Sequence, residues 1–154
     1  MFKSMVGVTL AFLSASAFAV GSSYSCKVNV PNGSWPDNGP ERVDLFHLID
    51  IASPVPGSSV VNWVPFINLD SNFPEKLEVV SVTTMRCPNC FDVIAKKDNG
   101  NAHDFFKVSI REKLRPRGVR AIAVNVDYRT DSPAGPTKWI SFNEKPGVCT
   151  ALSN

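Results

Sequence analysis

The period of apolar and polar side chains changes along this chain, and most of its segments read as strands. Val119 to Tyr128 (VRAIAVNVDY) alternates cleanly, the pattern of a half-buried strand. Lys138 to Asn143 is expected to pair with it across the turn-rich Thr130 to Pro136. Phe91 to Lys97 and Phe105 to Glu112 flank Asp98-Asn99-Gly100-Asn101, and Asn-Gly between two such runs is a strong hairpin signal. Leu77 to Thr84 (LEVVSVTT) is β-branched and reads as a buried strand. Val60 to Leu69 (VVNWVPFINL) is apolar, with Pro65 marking it as an edge or bulged strand. Tyr24 to Val30 alternates modestly, and Pro31 to Pro40 is a loop built of turn formers.

One segment differs. Glu41 to Ala52 places Val43, Phe46 and Ile49 at i, i+3 and i+6, with Leu45 and Leu48 widening the stripe. Pro40 precedes it, Glu41 and Asp44 fall in its first turn, and Pro54 and Pro56 stop it, so it is predicted to be a helix carrying His47. The expected fold class is therefore α+β: one N-terminal helix followed by an antiparallel meander of about five or six strands, stabilised by disulfides.

The N-terminus adds a compartment. Lys3, the apolar Met5 to Leu13 and the small-x-small Ala17-Phe18-Ala19 have the layout of a secretory signal peptide cut after Ala19. Residues 20–154 then form a single secreted, extracellular domain. The apolar run is shorter than the about 20 residues a membrane span needs, so no membrane association is expected. Without Lys3 the chain keeps 15 basic and 14 acidic side chains. That balance gives no global electrostatic case for nucleic acid or an anionic membrane.

Four cysteines, Cys26, Cys87, Cys90 and Cys149, allow three pairings. Position favours Cys26–Cys149, a clasp near the two ends worth roughly 4–5 kcal/mol in the chain-entropy model. Cys87 and Cys90 are then a small loop disulfide, a redox dithiol or part of a metal site. A structural zinc needs four ligands, and His103 and His47 are the only histidines, so no metal or other cofactor is expected. No motif for nucleophilic hydrolysis or phosphate binding occurs, and no catalytic set is assigned. Candidate contact residues are Trp35, in a Gly/Pro-rich loop, and Arg115, Arg117 and Arg120 in the basic REKLRPRGVR stretch. Asn32-Gly33-Ser34 is a glycosylation sequon.

Tyr24-Ser25-Cys26 just after the leader, the late Cys149 and the helix-then-strands order resemble the haustorial secreted effectors of powdery mildew and rust fungi. That resemblance implies a ribonuclease-like fold without its catalytic residues. It also implies a virulence role in host–pathogen interaction, exercised by binding a host protein or RNA. LEVVSVTT, Met85-Arg86 and Cys87-Pro88-Asn89-Cys90 also look like the strand–CPxC–helix entry of thioredoxins and glutaredoxins. There Cys87 would be the attacking thiolate and Cys90 the resolving thiol, and a helix N-terminus would lower the thiolate's pKa. The expected function is a non-catalytic effector-type interaction protein. The alternatives are an extracellular thiol–disulfide oxidoreductase and a cell-wall carbohydrate-binding protein.

Overall fold

The computed structural model describes residues 22–31, 42–53, 57–65, 74–87, 89–118 and 120–152. The leader, Trp35 and Asn32 lie outside these residues. The strands are β1 (Ser22–Val30), β2 (Arg42–Ile51), β3 (Val60–Val64), β4 (Glu75–Thr84), β5 (Phe91–Asn99), β6 (Ala102–Leu114), β7 (Arg120–Ser132), β8 (Gly135–Pro136), β9 (Ile140–Ser141) and β10 (Gly147–Leu152). The only helical element among the described residues is a 3-10 turn, Pro116–Gly118.

Each strand from β1 to β7 pairs antiparallel with the next. β10 then pairs with both β7 and β1, which closes an eight-stranded barrel. The short β8 and β9 add to β7. Meander order with closure leaves no free sheet edge around the ring, the arrangement of an up-and-down barrel. The near rim carries Ser22, Leu152, the 85–90 turn and the 115–119 connection. The far rim carries Val30, the Asn99–Ala102 hairpin and Ser132.

This architecture corrects the α+β expectation and the ribonuclease-like fold implied with it. The segment predicted as a helix is β2. Asp44, Phe46 and Leu48 point into the barrel and are fully buried, while Val43, Leu45, His47 and Ile49 point outward. With apolar residues on both faces, the two-residue alternation is hidden and a 3.6-residue stripe can be drawn through the same letters. Asp44, read as a first-turn helix acid, is instead a core residue that accepts a hydrogen bond from the Trp63 indole nitrogen at 3.0 Å. Partnering is what allows a carboxyl to be buried there.

The remaining strand expectations fall close to their places. The Asn99-Gly100 hairpin joins β5 to β6, with Gly100 at φ 66. β3 ends at Val64, just before Pro65. β4 is a strand, but most of it is exposed and only Leu77 is buried, which corrects the buried-strand reading.

Eight strands enclose a space that side chains can fill. Here Phe46, Trp63, Phe106 and Phe142 do so, each ring within 6.4 Å of the other three. Phe142 comes from a bulge between β9 and β10. There Asn143 substitutes for missing ladder bonds: its side chain accepts from Val126 N at 2.8 Å and donates to Lys145 O at 2.6 Å. Valines, Ile110 and Leu48 pack around the rings.

Candidate interaction surface at the near rim

Cys26 and Cys149 are directly opposed in the β1–β10 ladder and form a disulfide, as do Cys87 and Cys90. The first bridge is buried and staples the strand that closes the barrel. The second lies on the near rim, in the turn between β4 and β5, with Cys87 exposed and Cys90 3% exposed.

The turn is tied to its neighbours by side chains far away in sequence. Asn89, at φ 51, accepts a hydrogen bond from the Tyr24 hydroxyl at 2.5 Å. Its amide donates to Glu112 at 2.8 Å. Glu112 also meets Arg120 Nε at 3.3 Å. Asparagine is among the few residues that tolerate this left-handed backbone. The tyrosine of the aromatic-x-Cys motif therefore binds the middle of the Cys-x-x-Cys turn. Burial raises the Tyr24 pKa, and the negative charge of Glu112 adds to the rise. Cys87, Glu112, Leu114 and Arg120 line a cleft of 240 Å³ beside the exposed sulfur.

The segment after Cys90 is β5, not the helix that a thioredoxin-like entry requires. Among the described residues no helix N-terminus points at Cys87, so none of them supplies that thiolate stabilisation. Among the described residues there is no group of three or more His, Cys, Asp and Glu side chains that could hold a metal ion. His103 instead bonds Asp98 at 2.6 Å at the far rim, and His47 faces outward on β2.

Arg115, Arg117 and Arg120 are brought together by the β6–β7 hairpin. Leu114, the last residue of β6 and paired with Arg120 below the turn, is 75% exposed. Arg117 takes φ 70 within the 3-10 turn, followed by Gly118 at φ 74. Arg111 is engaged by Asp92 at 2.7 Å, and Arg120 by Glu112. Lys113, Arg115 and Arg117 have no acidic partner among the described residues. On the outer side of the hairpin, Lys113 and Arg115 flank a 280 Å³ groove floored by Ala121, Ala123, Pro146 and Val148. The sequence showed the basic stretch but not its apolar flank, because Val148 arrives from β10.

Inside the barrel at the far rim, the buried Asp104 is satisfied by its neighbours. Asp104 accepts from Tyr128 at 2.7 Å and from Thr130 at 2.9 Å, and burial pushes the Tyr128 pKa up. Among the described residues no helix is long and apolar enough to cross a membrane. Compared with known protein families, curated proteins and solved structures, the chain matches none.

Proposed function

We propose that this chain is a secreted, effector-type interaction protein that acts by binding an acidic surface on a host protein through its β6–β7 hairpin. The observation carrying this reading is that Lys113, Arg115 and Arg117 cluster on the β6–β7 hairpin with no acidic partner among the described residues, near the exposed Leu114. Unmatched rim cations steer association and select acidic partners, while an exposed leucine and an apolar groove supply the dry contact. The two disulfides suit an oxidising compartment. RNA is the less favoured partner: the hairpin sequence REKLRPRGVR has no aromatic ring on which a base could stack.

Titration calorimetry with poly-L-glutamate and with single-stranded poly-uridine tests the reading. Poly-L-glutamate is expected to bind more tightly and to weaken with salt. The triple variant K113E/R115E/R117E is expected to lose about tenfold or more in affinity. Tighter binding of poly-uridine would move the assignment to RNA, and no binding of either would remove it.

A further inference from the structure

A second surface lies on the outer face of the barrel towards the far rim, away from the hairpin. Arg129 on β7 is cross-paired with Phe105 on β6. Its guanidinium lies 5.0 Å from the Phe105 ring centroid and 4.9 Å from the Trp139 ring centroid. Trp139 reaches it because the chain folds back along β7 to enter β9, and this ring remains 37% exposed. Cation–π contact with both rings makes the three groups one platform.

Most charges of this patch are paired, Lys138 beside Trp139 being the one without an ion pair among the described residues. Arg129 pairs with Asp131 at 3.0 Å, Lys96 with Glu78 at 3.1 Å and with Asp98 at 3.4 Å, and His103 bonds Asp98. Yet Arg129 Nε and Asp131 Oδ1 have no hydrogen-bond partner, one an unused donor and the other an unused acceptor. Such groups carry a desolvation cost until something satisfies them. Both atoms are themselves buried, in side chains that are about 30% exposed.

We propose that this patch is a binding site for a neutral oligosaccharide, with a pyranose ring stacked on Trp139. The C–H face of a sugar is apolar and meets the negative face of an aromatic ring. A sugar hydroxyl is at once donor and acceptor. With a rotation of the partly exposed side chains, one hydroxyl pair satisfies Asp131 Oδ1 and Arg129 Nε together. His103 and Asp98, in the neighbouring cross-strand row, border the platform with further polar groups. With Arg129, Lys96 and His103 each already paired to a carboxylate, the platform favours a neutral ligand over an anionic one.

Affinity electrophoresis in native gels containing hydroxyethyl cellulose, laminarin or glycol chitin tests this site. The wild-type protein is expected to be retarded by at least one of the three. W139A should weaken that retardation about tenfold, and W139Y should keep most of it. K113E/R115E/R117E should be retarded like the wild type, which separates this site from the hairpin. Thermal unfolding of W139A checks that the barrel persists. Absence of retardation in all three gels, or equal retardation of W139A and wild type, would overturn the proposal.

Discussion

Both tyrosines of the chain are inward-facing and hydrogen-bonded, Tyr24 to Asn89 at the near rim and Tyr128 to Asp104 at the far rim. Burial is the leading cause of a raised pKa in each. A phenol whose folded pKa lies above its unfolded value of about 10 contributes stability that is complete below pH 10. That stability is lost as pH rises from there through the folded value. Phenolate absorbance near 295 nm is therefore expected to stay low at pH 10 in the native protein and to reach about half its maximum there in concentrated urea. Equal titration in the two states would mean that neither hydroxyl is held as described. Tyr24 is also where residue-scale reading of the sequence stops short. Its partner Asn89 is 65 positions away, and Asn89 in turn meets Glu112 across 23. No local pattern encodes that chain of bonds, although each residue belongs to a segment with a visible motif.

Among the elements, β10 depends most on one residue. A Cβ added to Gly147 would lie 2.2 Å from the Lys27 carbonyl oxygen and 2.8 Å from Val124 Cγ1, with β1 on one side and β7 on the other. Backbone cannot yield as a flexible side chain can. Gly147→Ala is therefore expected to lower stability by about 1–3 kcal/mol, read as a shifted urea midpoint. An unchanged midpoint would mean that β10 closes the barrel less tightly than its pairings indicate. β2 illustrates the opposite relation between sequence and element. Its outward Val43, Leu45 and Ile49 match its inward Phe46 and Leu48 in hydrophobicity, so periodicity could not separate strand from helix. The hairpin at Asn99-Gly100 needed no such separation, because turn chemistry marked it directly. Barrel closure was legible only through Cys26 and Cys149, whose positions suggested adjacent ends. That β7 also joins β10 follows from register, which no single segment carries.

At the scale of the whole molecule, the two disulfides divide the work. Cys26 and Cys149 are inside the barrel, whereas Cys87 is open to solvent. Graded reduction followed by alkylation and mass mapping is expected to open Cys87–Cys90 first, with the barrel intact. Cys26–Cys149 should yield only with unfolding, because a thiolate needs access to attack. Replacing both Cys26 and Cys149 by serine should cost about 4–5 kcal/mol in the chain-entropy model. Simultaneous reduction of both bridges under native conditions would mean that the clasp is not protected by burial. Charge is divided as well. Lys113, Arg115 and Arg117 cluster on one hairpin at the near rim, while Asp98, Asp104 and Asp131 lie towards the far one. A near-neutral total therefore conceals a local basic cluster, and this is why net charge alone gave no hint of a partner.

The placement of the clasp also governs how the molecule responds to force. β1 and β10 end side by side at the near rim, so tension on both ends peels the ladder open rather than shearing it. Three pairs, Ser23–Leu152, Tyr24–Ala151 and Ser25–Thr150, come apart before the load reaches Cys26 and Cys149. From there a covalent bond bears the pull, and the 123-residue separation between these cysteines is shielded from it. A motor threading this protein through a pore would stall on reaching Cys26 or Cys149 until a reductant cut the bridge.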